Sequence, residues 1–226
     1  MQIGEGSRLA TPRTVAPQRS ALRQVPASWL VAKRCVDVAG ASLGLVLAAP
    51  FILASALAIT VVSPGPPFFA QERVGHNGRR FKLFKLRTMV DGAHLEHERL
   101  RHLSDVSGPV FKMRNDPRVH LLGGLLRRTS IDELPNLVNV LRGEMSLVGP
   151  RPPLVSEVEH YDAVALRRLT VKPGITCIWQ VSGRSNVDFA TWMQLDNQYV
   201  DTWTPWGDIA LILRTIPAVI RGEGAH

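Results

Sequence analysis

The stretch VAGASLGLVLAAPFILASALAITVV, residues 38–62, decides the fold because it holds 25 residues without a single charge. At 1.5 Å per residue, an unbroken helix of this length measures roughly 37 Å, which exceeds a hydrocarbon core of about 30 Å. A core helix buried in a water-soluble protein rarely stays uncharged for so long. The segment therefore predicts a helix in a membrane.

Pro50 stands at the middle of this segment. An interior proline removes one helical hydrogen bond and clashes with the preceding turn, so each arm would measure about 18 Å and reach only the middle of the bilayer. Basic flanks prefer the cytoplasmic side, and here both flanks are basic: Arg8, Arg13, Arg19, Arg23, Lys33 and Arg34 precede the segment, and Arg73, Arg79, Arg80, Lys82, Lys85 and Arg87 follow it. We expect a re-entrant helix that breaks at Pro50 and leaves by the face it entered, with a single crossing as the alternative.

The whole chain predicts a mixed α/β fold that is mainly helical and contains a small β-hairpin. Residues 1–30 are rich in Pro, Ser, Arg and Gln, which predicts a disordered basic tail. Residues 31–66 hold the membrane helix, and residues 67–226 are expected to form a compact domain on the cytoplasmic side. Within that domain Asn77 and Gly78 separate two strand-prone runs, a pattern that is typical of a β-hairpin.

The chain carries a formal net charge of +8 and has a sequence pI near 10.3. Such an excess predicts an anionic partner: nucleic acid, anionic lipid or a phosphorylated substrate. Nucleic acid is disfavoured, because the few aromatic residues are not interleaved with the basic ones as stacking platforms would be. The sequence also lacks the Gly-x-x-x-x-Gly-Lys-Ser/Thr loop of many nucleotide-hydrolysing enzymes and the Gly-x-Gly-x-x-Gly turn of dinucleotide-binding proteins.

Two adjacent carboxylates, Asp132 and Glu133, follow a pair of arginines in the stretch TSIDELPNL, residues 129–137. One interpretation is structural, because Ser130 and Glu133 have the spacing of a capping box at a helix start. Pro135 then falls just beyond the first turn, so the helix must kink there or begin later. The other interpretation is chemical: carboxylates are the ligands that Mg²⁺ takes in phosphoryl-transfer sites, and an ionised aspartate can attack phosphorus.

Several cationic side chains favour a phosphorylated substrate. If the stretch is helical, Arg128 lies on the same side as Asp132, four residues later. Arg151 lies in a Gly-Pro-Arg-Pro-Pro loop whose prolines restrict the backbone, and arginine suits bidentate contact with phosphate. The further candidates are Lys85 and Arg87 after the second strand-prone run, Lys172 in Lys-Pro-Gly-Ile-Thr, and Arg184 in Gly-Arg-Ser-Asn. For the first two of these, a solvated face or contact with lipid headgroups is the alternative.

The order of short motifs along the chain resembles that of one known family. The motifs are KRCVD at 33–37, QERVG at 71–75, FKLRTM at 84–89, NDPRV at 115–119, LRRTSIDELP at 126–135, LRGEMSLVGPRP at 141–152, KPGIT at 172–176 and WQVSGR at 179–184. With the proline-containing apolar segment, they make the chain similar to the bacterial sugar transferases, the monotopic polyprenyl-phosphate phosphoglycosyl transferases. The resemblance covers roughly residues 30–221, and the short members that initiate exopolysaccharide synthesis are the most similar.

The resemblance implies an enzyme that transfers a sugar-1-phosphate from a UDP-sugar to undecaprenyl phosphate and releases UMP. Galactose and glucose are the first candidate sugars. It also implies Mg²⁺, a re-entrant helix, and residence at the bacterial inner membrane with the catalytic domain on the cytoplasmic face. By position, Asp132 would be the nucleophile that forms a covalent phosphosugar intermediate, and Glu133 would bind Mg²⁺ or help to prepare the lipid phosphate. Arg128 and Arg151 would hold phosphate groups, and Lys85 and Arg87 would assist.

The alternative function is a non-enzymatic membrane scaffold that binds anionic lipid through its basic surface. Such a protein would release no UMP from any UDP-sugar, and its binding would weaken as salt rises. The sequence leaves open which sugar is transferred, whether the chain forms a homodimer, and which downstream glycosyltransferases it meets.

Overall fold

The computed structural model describes residues 25–221, apart from 106, 107, 112, 114 and 183–187. Its helices are α1 (Ala27–Val62), α2 (His97–Leu100), α3 (Leu121–Thr129), α4 (Leu137–Arg142), α5 (Val155–Val158), α6 (Ala163–Leu166), α7 (Ile178–Ser182), α8 (Phe189–Thr202) and α9 (Pro205–Arg221). Its strands are β1 (Phe68–Val74), β2 (Arg80–Leu86), β3 (Ser146–Val148) and β4 (Gly174–Thr176). The expectation of a mainly helical α/β fold is confirmed for this part of the chain.

Helix α1 is 36 residues long. Among the described residues it is the one helix that is long and apolar enough to cross a membrane. Its buried positions share one side of the helix and are Asp37, Ala41, Ala48, Ala56 and Ile59. The other side exposes large apolar side chains that include Leu43, Leu47, Phe51 and Leu57. An apolar surface of this extent suits contact with lipid rather than with water.

The helical backbone of α1 continues through Pro50. The predicted break into two separate helices is therefore not seen in the secondary structure. A proline lacks only the one N–H that would reach the carbonyl of residue 46, so a long helix can continue past it, commonly with a bend. The re-entrant path itself stays a prediction.

The start of α1 also corrects the predicted boundary of the basic tail. The helix begins at Ala27, inside the predicted tail of residues 1–30, and Trp29 packs edge-on against Trp203 with ring centroids 6.2 Å apart. Residues 1–24 of that tail lie outside the described part of the chain.

Both halves of α1 pack on the domain that follows it. In the first half, Ala41 belongs to a buried cluster with Leu137 of α4. In the second half, Ala56 and Ile59 pack in another cluster with Leu126 of α3. The domain therefore contacts the helix along its length and not at one end alone.

Polar contacts fix the first turns of α1 on the same domain. Lys33 Nζ lies 2.5 Å from Oδ2 of Asp208 in α9, and Arg34 donates hydrogen bonds to two carbonyl oxygens at the end of α4. The buried carboxylate of Asp37 accepts a hydrogen bond of 2.8 Å from the Ser146 hydroxyl at the start of β3. The KRCVD motif thus anchors α1 to the domain that follows it.

Strands β1 and β2 form the predicted antiparallel hairpin, paired from Phe68 with Leu86 to Val74 with Arg80. Asn77 and Gly78 both have positive φ angles, 56° and 76°, in the turn. These are the residue types that tolerate the left-handed conformation, so the turn follows directly from the sequence.

Strands β3 and β4 form a short parallel pair, in which Ser146 is paired with Gly174 and Val148 with Thr176. The backbones approach closely just beyond β3: a Cβ atom on Gly174 would lie 2.1 Å from the backbone nitrogen of Gly149. Glycine is needed there because any side chain would clash with the backbone. This approach brings the KPGIT loop against the loop that carries Arg151.

Candidate active site

The chain reverses its direction after α3, and the turn that follows carries the acidic pair. Ser130 adopts a left-handed conformation with φ 57° and ends α3, where its N–H bonds back to carbonyl oxygens of that helix. A 3₁₀ segment, Ile131–Asn136, follows and carries Asp132 and Glu133 in its first turn. The capping-box interpretation is wrong, because Ser130 closes a helix and its side chain makes no capping bond. The alternative of a later helix start is correct, since α4 begins only after Pro135.

Strand β2 brings Lys85 to Glu133. The Lys85 ammonium and the Glu133 carboxylate form an ion pair with a hydrogen bond. Burial alone would raise the pKa of Glu133, but the positive charges of Lys85, Arg151 and Arg73 more than offset it and lower that pKa. Glu133 is therefore held ionised in the middle of a cationic group.

Asp132 occupies a different environment from its neighbour. Its surface is 7% exposed. Burial raises the pKa of Asp132 to about 6, and the negative charge of Glu133 adds to the rise, whereas Lys85 and Arg127 act in the opposite direction. A carboxylate that is costly to ionise and poorly solvated, yet still ionised at neutral pH, is suited to nucleophilic attack.

The arginine beside Asp132 is not the one that helical spacing predicted. Since α3 ends before the acidic pair, Arg128 and Asp132 do not share a helix face, and Arg128 lies exposed. Arg127 is half-buried, and its Nε donates a hydrogen bond of 3.0 Å to Oγ1 of Thr88 after β2. Its charge acts on Asp132. Sequence reasoning missed Arg127 because the reversal at Ser130 shifts the helical phase.

Arg151 lies in the predicted proline-rich loop, and its charge acts on Glu133. Its Cζ atom lies 5.8 Å from the centroid of the Trp192 ring. Its Nη1 atom is buried and has no hydrogen-bond partner among the described residues. Because a buried donor without a partner is costly, this guanidinium is available for an anionic ligand. The structure therefore brings together four of the predicted residues: Asp132, Glu133, Lys85 and Arg151.

Arg73 is a further cation of the site that sequence reasoning did not single out. It is buried on β1, and its guanidinium donates a hydrogen bond of 3.0 Å to the carbonyl of Pro152. Burial first, and then the charge of Arg151, lower the pKa of Arg73 to about 9. In the sequence, only its position in the QERVG motif could have indicated that Arg73 belongs to the site.

Two other predicted residues lie elsewhere. Arg87 is buried and donates hydrogen bonds to the Ser63 hydroxyl and to the carbonyl oxygens of residues 63–65, so it secures the segment that leaves α1 instead of facing the acidic pair. Lys172 lies beside Gly143 and near Arg34, at the first turns of α1. Burial, and then the charge of Arg34, lower the pKa of Lys172. Arg184 lies outside the described residues.

The acidic pair also fits part of a metal site. Asp132 and Glu133 offer carboxylate oxygens from adjacent residues, and a Mg²⁺ site commonly combines one or two carboxylates with substrate phosphates and water. Across the described residues, no three His, Cys, Asp or Glu side chains gather into a site made by protein alone. The donor set therefore suits a cation that takes the rest of its ligands from a phosphorylated substrate.

The comparison with known families agrees with this chemistry. The model of the bacterial sugar transferase family matches residues 28–222. The chain belongs to this family. The resemblance seen in the motifs is thereby confirmed, and the matched bacterial sugar transferase region includes α1 except its first residue, the acidic pair and the Arg151 loop.

Three curated relatives illustrate the range of bacterial sugar transferases that the chain resembles. Galactosyl transferase CpsE of Streptococcus agalactiae is 46% identical over 205 residues, which cover 88% of this chain and 44% of CpsE. Exopolysaccharide production protein ExoY of Rhizobium meliloti is 42% identical over 200 residues, covering 87% of this chain and 88% of ExoY. UDP-glucose:undecaprenyl-phosphate glucose-1-phosphate transferase of Caulobacter vibrioides is 39% identical over 203 residues, covering 86% and 72%. The chain thus spans less than half of CpsE but most of ExoY.

Proposed function

We propose that this protein transfers a sugar-1-phosphate, galactose or glucose, from a UDP-sugar to undecaprenyl phosphate and releases UMP, as a first membrane step of exopolysaccharide synthesis. The observation that carries the proposal is the buried Asp132 next to Glu133, with Lys85, Arg127 and Arg151 around them. Family membership and the substrates printed in the relatives' names support it. A buried carboxylate among cations suits attack on a phosphate that leaves as a nucleotide.

The proposed reaction has two steps. In the first, an oxygen of the Asp132 carboxylate attacks the β-phosphorus of the UDP-sugar, the bond between that phosphorus and the bridging oxygen breaks, and UMP leaves with the bond electrons. The product is an acyl phosphate that links Asp132 to the sugar-1-phosphate. In the second, a phosphate oxygen of undecaprenyl phosphate attacks the same phosphorus and displaces Asp132, which regains its carboxylate.

The surrounding residues have roles that follow from their charges. Lys85 keeps Glu133 ionised, and its positive charge stabilises the negative charge of the Asp132 carboxylate. Arg151, with its buried unpartnered Nη1, would hold a phosphate of the UDP-sugar, and Arg127 would stabilise charge beside Asp132. Glu133, with Asp132 as a second ligand, would hold Mg²⁺, which supplies neutralisation of phosphate charge when it is bound.

We also propose that the protein sits at the inner membrane with α1 re-entrant and the catalytic domain on the cytoplasmic face. The packing of both halves of α1 on one domain supports this, because a soluble domain contacts both halves of a membrane helix more readily when both ends lie on one side. The basic residues on both flanks of the segment favour the cytoplasmic side.

The deciding experiment measures UMP release by the full chain in detergent, with undecaprenyl phosphate, Mg²⁺ and a panel of UDP-sugars. We expect release with UDP-galactose or UDP-glucose, and a loss of at least about a thousandfold in Asp132→Asn, because an amide cannot act as the nucleophile. Asp201→Asn, an exposed aspartate on α8, is the matched control. If no UDP-sugar yields UMP, the enzyme proposal fails and the lipid-binding scaffold gains support.

A further inference from the structure

A fully buried ion pair lies behind the loop that carries Arg151. Arg168 and Asp196 are each about 1% exposed at their side chains, and Arg168 Nη2 lies 2.7 Å from Asp196 Oδ2. Arg168 follows α6 in a 3₁₀ turn, and Asp196 lies in the middle of α8. Burying two charges costs several kcal/mol per ion before their attraction is counted, so such a pair is weak evidence of a purely stabilising role.

The same guanidinium reaches the Arg151 loop directly. Arg168 Nη2 donates a hydrogen bond of 2.7 Å to the backbone carbonyl of Arg151, and Nη1 donates one of 2.8 Å to the Tyr161 hydroxyl. Arg168 thus joins α8 to the backbone of the residue whose side chain lies beside Glu133. The planar guanidinium suits this role because its donors have fixed directions.

The two arginine side chains also lie near the same indole ring. The Cζ atoms of Arg168 and Arg151 lie 5.2 Å and 5.8 Å from the centroid of the Trp192 ring. Trp192 precedes Asp196 by one helical turn on α8, so both contacts come from one element. The backbone of Arg151 is therefore fixed by Arg168, and its side chain by Trp192.

We infer that the Arg168–Asp196 pair is a positioning device that sets the direction of the Arg151 guanidinium toward the phosphate of the nucleotide-sugar. This inference rests on the proposed function, because it assigns Arg151 a phosphate ligand. Neither Arg168 nor Asp196 touches substrate; both act through the Arg151 loop. Substitution of Arg168 or Asp196 therefore changes substrate binding and turnover only while the Arg151 side chain is present.

The test is a double-mutant cycle between Arg168→Lys and Arg151→Ala in the full chain. Lysine keeps a charge opposite Asp196 but cannot also reach the Arg151 carbonyl and the Tyr161 hydroxyl. We expect Arg168→Lys to lower kcat/KM for the UDP-sugar by about tenfold to a hundredfold, the loss typical of a misplaced substrate-holding group. In the Arg151→Ala background the same change should lower kcat/KM by less than about twofold, because coupled sites are not additive.

An exposed pair on the same two elements is the matched control. Arg167 Nη2 lies 2.5 Å from Asp201 Oδ1, and it joins the turn after α6 to the end of α8 at the surface. We expect Arg167→Lys to leave both kcat/KM and UDP affinity unchanged. If Arg168→Lys does not fold, the combined variant Arg168→Gln with Asp196→Asn replaces it, since that exchange leaves no unpaired buried charge.

Titration of UDP by calorimetry separates failure of this inference from failure of the proposed function. The expected result is a loss of UDP affinity in Arg168→Lys of about tenfold that vanishes in the Arg151→Ala background. Equal losses with and without Arg151 would overturn the inference, even if the wild-type protein releases UMP. Wild-type protein that binds UDP with this coupling but releases no UMP would support the inference and contradict the proposed reaction. Absence of UDP binding by wild-type protein contradicts both.

Discussion

The chemistry of Asp132 depends on a balance between burial and charge. Burial and the adjacent Glu133 raise its pKa to about 6, while Lys85 and Arg127 act against the rise. Below pH 6 the carboxyl is largely protonated and cannot attack phosphorus, and above it the carboxylate is available. The same carboxyl that is difficult to ionise is thus ionised at neutral pH.

A pH profile of UMP release tests this balance. We expect kcat/KM to rise with pH through a midpoint near 6 and then to level off, so that at pH 5 it is about tenfold below the plateau. Lys85→Gln should move the midpoint to higher pH, because it removes the positive charge that most strongly opposes protonation of Asp132. A midpoint that stays in place in this variant would contradict the charge assignment.

Arg127 and Arg128 are adjacent in sequence but face different surroundings. Because Arg127 is half-buried beside Thr88 and acts on Asp132, we expect Arg127→Ala to lower kcat/KM by about tenfold to a hundredfold. Arg128→Ala, at an exposed position, should change it by less than about threefold. Rates of UMP release under identical conditions compare the two. Equal losses would restore the original assignment of Arg128.

At the scale of elements, α3 is placed by a close approach to the end of β2. The Gly123 backbone faces the Thr88 carbonyl, and a Cβ atom there would lie 2.1 Å from that oxygen. The same carbonyl accepts a hydrogen bond of 3.2 Å from the His120 N–H. This contact determines where Arg127 lies, since Arg127 is one turn further along the helix.

Two neighbouring glycines of α3 provide a direct test of that approach. Gly123→Ala should lower the free energy of unfolding by about 1–3 kcal/mol, because the methyl group forces the helix away from Thr88. Gly124→Ala meets no atom within 4 Å and should raise it by about 0.5–1 kcal/mol through helix propensity. Thermal unfolding in detergent compares the variants. A stable Gly123→Ala protein would show that the approach is not a constraint.

Elements set by local chemistry could be predicted from the sequence, and those set by distant contacts could not. Asn77 and Gly78 specify the hairpin turn, and the uncharged run around Pro50 specifies a long apolar helix, because each signal lies within one continuous segment. The left-handed conformation of Ser130 has no such signal, since serine rarely adopts it. The helical spacing from Arg128 to Asp132 was therefore wrong. The contact of Lys85 with Glu133 joins residues 48 positions apart, which no local signal specifies.

At the scale of the whole molecule, contacts at both ends hold α1 on the domain that carries the acidic pair. Lys33 binds Asp208 near the start of the helix, and Arg87 holds the backbone of Ser63 at its end. Lys85 on β2 contacts Glu133, and Arg87, directly after β2, contacts Ser63. Residues 85–87 thus connect the end of α1 with Glu133.

The topology of α1 can be tested with cysteines introduced one at a time at two exposed positions, Ser28 in the first turn of the helix and Arg79 after the helix. The background is Cys35→Ser, in which the remaining cysteine, Cys177, is buried. We expect both cysteines to resist a membrane-impermeant maleimide in intact cells, and both to react with a permeant one. A straight crossing places the two positions on opposite faces and exposes one of them to the impermeant reagent. That crossing would also require the contacts of Lys33 with Asp208 and of Arg87 with Ser63 to form on opposite sides of a bilayer about 30 Å thick. Since both contacts involve one domain, reaction at a single site would contradict the packing of α1 as well as its re-entrant path.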